Sequence, residues 1–297
     1  MKNFIFRVLC ISILFNVFFL EIQAQNSSPN EKIEKADSLW SLAEYDKAIL
    51  MYEDISSDYP DKVKFREKLI KAYAYLGMFD KAKERTGQLY HEKGKPYSEI
   101  GENCRLGLIY TMQNRTEDAL KAVADMMMFA EPGQYFPGAP TCAMYFETPA
   151  GEYEKAAKKI YKIIEQAPDL LKLQYTLYAI YLEKQLGNLE KSNALLAQLE
   201  GQVNILQNNG TLEEMLQSPE GFIYYRPLAA FYALKGEDDM ALDLLQKNYE
   251  NGGRQYYWIK NVSPFFDQYE DNPRFVSLMK EMKMGIDKMS DNVKAKL

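Results

Sequence analysis

The chain has 297 residues, a formal charge of −6 and 47% hydrophobic residues, so it can bury a core and carries no basic block suited to nucleic acid. Only 16 Gly and 12 Pro stand among many Leu, Ala, Lys and Glu, so helix is expected throughout. One histidine, His91, leaves no His-rich metal site, and the cysteines lack metal-ligand spacing.

Residues 1–24 have the layout of a secretory signal peptide. A short basic start with Lys2 and Arg7 leads into an apolar run from Val8 to Leu20, and small Ala24 precedes the expected cleavage. The run is short for a bilayer span. Cys10 lies inside it with no small residue before it, which argues against lipidation. The mature chain is therefore expected to be exported, periplasmic or secreted, with no integral membrane span. Residues 25–30 read as a flexible linker.

From 31 to about 250 the chain reads as six helix pairs. The first pair carries Ile33, Ala36, Leu39 and Trp40, then Tyr45, Ala48, Ile49, Tyr52 and Ile55, ending at Pro60. The second carries Leu69, Ile70, Tyr73 and Leu76, a turn at Gly77, then Phe79, Ala82, Thr86 and Leu89. The third has Leu106, Gly107 and Tyr110, then Ala119, Val123 and Met126. Pro132, Gly133, Pro137, Gly138 and Pro140 crowd the approach to the fourth, whose first helix is expected to be short, about Thr141 to Thr148. Its second helix, Tyr153 to Gln166, is regular. The fifth has Leu177, Tyr178 and Tyr181, then Leu189, Leu195, Leu196 and Leu199. The period breaks over 201–219, where Asn208-Asn209-Gly210 signals a turn and Thr211 can open a short helix. The sixth pair has Tyr225, Leu228, Ala229 and Tyr232, a turn at Gly236, then Ala241 and Leu245. Residues 251–297 form a capping segment with Trp258, Phe265, Phe266 and Phe275; Asp291 to Leu297 is expected to fray.

One small residue marks each second helix: Ala48, Ala82, Ala119, Ala156, Ser192 and Ala241. The spacings are 34, 37, 37, 36 and 49. These units resemble tetratricopeptide repeats, whose period is about 34 residues. The match is carried by Leu69, Ile70, Tyr73, Gly77, Phe79 and Ala82 in pair two and by Leu228, Ala229, Tyr232, Gly236 and Ala241 in pair six. Pairs four and five depart most, with Ser192 in the place of the alanine. The stretch from Trp258 to Met279 is similar to the segment that caps many bacterial arrays. The resemblance implies an all-α, right-handed α-solenoid of about six helix pairs with a C-terminal cap. One pair cannot bury both its faces, whereas stacked pairs can.

The resemblance also implies a concave groove, lined by first helices, that receives a peptide or partner helix. By position it assigns Asp37 and Trp40, then Lys64, Glu67, Lys71 and Tyr75, then Cys104, Leu108 and Thr111, then Tyr145, Tyr175 and Arg226. Core packing is the other reading of Tyr145 and Tyr175. Some family members clamp an acidic tail at such positions; Ile33 and Asp37 depart from that pattern, so the activity is not carried over.

No catalytic residue, cofactor or metal site is read from the sequence. There is no phosphate-binding Gly-rich loop and no Gly-x-Ser-x-Gly elbow. His91 reads as a solvated helix end. Asp238-Asp239 and Glu213-Glu214 sit at helix starts, where the dipole favours them. The Met126-Met127-Met128-Phe129 run points in several directions, at least half of it packing. Tyr256-Tyr257-Trp258 could stack on a sugar, but packing before the cap is preferred. Cys104 and Cys142 are a pair worth checking in an oxidising compartment, but two separate buried thiols are the preferred reading, because neighbouring helix axes lie roughly 8–10 Å apart and bridged Cα atoms about 4.4–6.8 Å. The favoured function is an exported, non-enzymatic scaffold binding a protein or peptide. The alternatives are a solute- or glycan-binding protein with a Tyr-rich groove, and an enzyme whose site would lie near Asn204 to Pro219.

Overall fold

The computed structural model describes residues 29–58, 63–91, 95–129, 138–167, 169–218 and 221–297. The expected signal peptide, Pro60, the approach to pair four at 130–137, Pro168 and Pro219 lie outside them. Among the described residues there are helices and no strand. The six pairs are α1 (Pro29–Ser41) with α2 (Tyr45–Asp58), α3 (Val63–Tyr75) with α4 (Phe79–Leu89), α5 (Pro96–Met112) with α6 (Thr116–Phe129), α7 (Gly138–Glu147) with α8 (Tyr153–Gln166), α9 (Asp169–Gln185) with α10 (Leu189–Asn208), and α12 (Phe222–Lys235) with α13 (Asp238–Glu250). A short α11 (Thr211–Gln217) precedes the sixth pair. After it come α14 (Tyr256–Asn261), a 3-10 turn (Pro264–Tyr269) and α15 (Pro273–Lys294). Through the six pairs each helix packs on the next, giving the expected all-α solenoid.

The same turn closes all six pairs. One residue takes positive φ at Ala43, Gly77, Asn114, Gly151, Gly187 and Gly236. The following N–H reaches back five residues to a helix carbonyl, as Met78 does to Tyr73 and Glu237 to Tyr232. This satisfies carbonyls that a helix end leaves open. The six marker residues are all buried, so the helices of each pair can approach closely. Ser192 is tolerated there because its hydroxyl donates to the Ile180 carbonyl at 3.0 Å. Gly107 serves a similar purpose: a Cβ there would meet the Phe146 ring at 2.4 Å.

Several expectations need correction. Cys104 and Cys142 are disulfide-bonded, with Cα atoms 5.7 Å apart. Axis separation was the wrong yardstick, because Cα atoms ride about 2.3 Å off each axis and those that face each other lie well inside the axial distance. α1 begins at Pro29, inside the expected linker, and α7 begins at Gly138 rather than Thr141. α10 continues through Gly201 to Asn208, so the break falls at Asn209-Gly210, where Gly210 has φ +78°. The C-terminus does not fray from Asp291: α15 runs to Lys294 and Val293 is fully buried. The methionine run divides, Met126 buried and Met128 exposed.

The cap does more than cover the last pair. Phe266 and Phe275 bury against α12 and α13 as expected, and Tyr269 donates to Asp238 at 2.8 Å. The same segment then returns to the start of the array. α15 packs along α2, Asn292 donates to Asp46 at 3.0 Å, and Val262, Ile286 and Val293 join the core that the first three pairs share with α7. The array is thus closed on itself.

Buried carboxylates tie pairs together. Glu183 accepts from Tyr161 at 2.5 Å, Asn188 at 2.7 Å and Lys191 at 2.8 Å. Burial pushes its pKa up, but these donors win and hold it below the usual value.

Four outcomes follow. Gly107→Val should cost about 1–3 kcal/mol by overpacking Phe146, while Gly201→Ala, in open space on α10, should gain up to about 1 kcal/mol; urea midpoints read both. Reduction of the disulfide, which closes a 38-residue separation, should cost about 2–4 kcal/mol. Because the folded pKa of Glu183 is depressed, its contribution is present above the unfolded value of about 4.5 and lost as pH falls through the folded value. Glu183→Gln should therefore lose about 1–3 kcal/mol at pH 7, and the gap from wild type should close in acid denaturation curves below that range.

Candidate functional site

First helices face inward, because α14 touches α3 and α5 and its Trp258 meets side chains of α7 and α12. The concavity is therefore partly filled by the chain's own α14. Tyr257 packs edge-on against Phe79 at 5.0 Å and covers Gly77, where any Cβ would strike its ring. Asn261 donates to the Met112 carbonyl at 2.6 Å, and Gln255 donates to the Tyr45 hydroxyl at 3.4 Å. The run Tyr256-Tyr257-Trp258 thus packs within the groove.

The assigned groove residues fall into three groups. The first is structural. Asp37 pairs with Lys68 at 2.8 Å and accepts from Tyr52, tying α1, α2 and α3 together. Leu108, Thr111 and Tyr175 are buried, and Thr111 donates to the Gly107 carbonyl. Cys104 is in the disulfide. These are packing residues, because first helices approach closely enough to cover them. The side chain of Lys64 lies outside the described residues.

The second group is a polar cluster. Glu67 accepts from Tyr90 at 2.8 Å and pairs with Arg105 at 3.1 Å. Arg105 also reaches the Cys104 sulfur at 3.8 Å. Burial raises the Glu67 pKa, but Arg105 and Tyr90 bring it below the usual value. Lys71 sits beside them, its pKa lowered by burial and then by Arg105.

The third group is aromatic. Trp40 stacks on Tyr75 at 5.9 Å and leans on Tyr45 at 5.0 Å. Across the concavity, Tyr145 meets Trp258 at 5.4 Å and Tyr178 at 5.1 Å, both edge-on, and its hydroxyl accepts from Gln174 at 2.8 Å. Arg226 lies over the Trp258 ring, 5.2 Å from its centre. Burial raises the pKa of Tyr45, Tyr75, Tyr145 and Tyr178, and in each case the nearby Arg226 partly offsets the rise. Arg226 thus lies near enough to act electrostatically on tyrosines from both halves of the array. A shallow recess beside it is lined by Gln174, Tyr178, Trp258, Ser263 and Phe265.

Sequence reasoning found Trp40, Tyr75, Tyr145 and Arg226 but missed Tyr45, Gln174, Tyr178 and the role of Trp258. The signal for Trp258 was present: three consecutive aromatics on one short helix cannot all pack against the last pair. Among the described residues, no group of three His, Cys, Asp or Glu side chains is placed to hold a metal ion, and no helix is long and apolar enough to cross a membrane.

No family model matches the chain, and no curated protein matches it. Among solved structures, it is similar to a tetratricopeptide repeat protein from Parabacteroides merdae, at 17% identity over 86% of this chain and 98% of that one, with a TM-score of 0.43. It is also similar to a Podospora anserina putative kinesin light chain with nearly identical tetratricopeptide-like repeats, at 14% identity over 65% of this chain and 95% of that one, with a TM-score of 0.43.

Proposed function

We propose that the chain is an exported, non-enzymatic scaffold that holds a protein or peptide partner at the mouth of its concave face. The observation that supports this is the pair of partly buried aromatic groups on the inner helices, Trp40 with Tyr75 and Tyr145 with Trp258 and Arg226. Because α14 occupies the concavity, a partner helix running the length of the groove does not fit, and a short segment entering beside Trp258 does. The disulfide suits an oxidising compartment, in keeping with the apolar N-terminal run. A glycan-stacking role is less well served: one face of Trp258 lies under Arg226, and Trp40 is stacked on Tyr75.

The reading is tested with a photo-reactive residue placed at Tyr75, and at exposed Lys158 on α8 as a control, in the native host. Crosslinking from position 75 to one discrete protein, absent from position 158, is the expected outcome. No adduct at either position, or the same adducts at both, would remove the groove reading. Export predicts a mature chain starting at Gln25; a native protein that retains residues 1–24 would contradict it.

A further inference from the structure

We propose that the Cys104–Cys142 disulfide is a thiol-exchange site, opened by an external dithiol that attacks Cys142 and expels Cys104 as a thiolate held by Arg105. The bridge joins α5 to α7. Its two ends differ. Cys104 is buried and Arg105 Nη1 donates to its sulfur at 3.8 Å, whereas Cys142 is partly exposed. A thiolate leaves more readily where a neighbouring cation stabilises it. Approach and departure thus fall to different sulfurs.

The charges beside Cys104 point the same way. Glu67 supplies one negative charge, while Arg105 and Lys71 supply two positive ones. Arg105 directs Nη2 at Glu67 and Nη1 at the sulfur, and its Nε is buried with no acceptor among the described residues. Burial and Arg105 both oppose the charge on Lys71. The nearby Lys68 is paired with Asp37, and burial keeps Tyr75 and Tyr90 neutral. With the bridge closed, this cluster holds one positive charge in excess; a thiolate at Cys104 cancels it. The exchange balances as follows. One thiolate of the dithiol bonds to Cys142 Sγ, and Cys104 Sγ leaves with the electron pair of the old S–S bond. The second thiolate attacks its partner sulfur in that mixed disulfide, and Cys142 leaves and takes up a proton. The dithiol becomes a disulfide, having lost two electrons to the chain and two protons, one to Cys142 and one to solvent. A second thiol is needed because Cys104, with its Cα 5.7 Å from that of Cys142, can otherwise close the bridge again. Opening unfastens α7, which carries Tyr145 to Trp258. The proposal goes beyond the scaffold reading and does not rest on it.

The test uses the oxidised full chain without denaturant. A pulse of glutathione, quenched with iodoacetamide, should leave glutathione on Cys142 and the alkyl group on Cys104, read by peptide mass spectrometry. Glutathione on Cys104, or no adduct until the chain is unfolded, would overturn the proposal. Opening rates would then be measured with dithiothreitol and with a protein carrying a Cys-x-x-Cys dithiol. Opening by dithiothreitol alone assigns a small dithiol as reductant, opening by the protein assigns a protein dithiol, and opening by neither refutes the site. Arg105→Met should slow opening by about tenfold, and Arg105→Lys should keep part of the rate because it keeps the charge. A bridge that is only structural gives the opposite sign: removing Arg105 breaks its pair with Glu67, loosens the packing and speeds reduction. An unchanged or faster rate in Arg105→Met therefore counts against the proposal. Adduct mapping uses the wild-type chain, so it decides even if a variant misfolds.

Discussion

The structure depends on the return of the C-terminal segment into the concavity. A stack of helix pairs leaves two apolar ends and an open inner face. Here one segment covers both ends and part of that face. Ile259, Phe265, Phe266 and Phe275 belong to the core of the later pairs, whereas Val262, Ile286 and Val293 belong to the core that the first three pairs share with α7. Between them, α14 sets Tyr257 on Gly77 and Trp258 against Tyr145. The two cores are therefore joined through residues that lie outside every pair.

That closure changes how stability is distributed. In an open array each unit leans only on its neighbours, and ends can open locally. The contact between Asn292 and Asp46 spans 246 residues of sequence. Loosening the first pair then also exposes Val293 and Ile286 on α15. The chain behaves as a ring whose members share the cost of opening any one of them. The disulfide strengthens the same design from inside, fastening α5 to α7 across the Pro/Gly-rich stretch where the repeat pattern is weakest.

Local features were legible in the sequence because their causes are local. The small residues from Ala48 to Ala241 announce close helix approach whatever surrounds them. Gly77, Gly187 and Gly236 announce turns because positive φ suits glycine. Ala43 and Asn114 take the same conformation without that signal, so the motif was visible at some pairs and only inferable at others. Closure was not legible. The amphipathic pattern of α15 shows that one face is buried but not against which helix. The disulfide was missed for a geometric reason, axis spacing standing in for Cα spacing. The groove positions were placed correctly on the first helices, yet several proved to be packing. Position in a repeat decides which way a side chain points, whereas closeness of the next pair decides whether anything else can reach it. Leu108, Thr111 and Tyr175 point inward and are covered.

Arg226 differs in its partners from five other arginines. Arg85 pairs with Glu53, Arg105 with Glu67, Arg115 with Asp118, and Arg274 with Asp239 and Asp243. Arg254 donates to the carbonyls of Tyr249 and Gly253. Each therefore has an acceptor supplied by the fold. At Arg226 the fold supplies a ring to lie on and tyrosines nearby, but no carboxylate. Arg226 is only partly buried, so its remaining N–H donors stay open to water. The polar cluster of Glu67, Arg105 and Lys71 is the instructive contrast: there an acid compensates Arg105 and the result ties α3 to α5. The same array thus satisfies one arginine with an internal acid and leaves another lying on a ring and open to water.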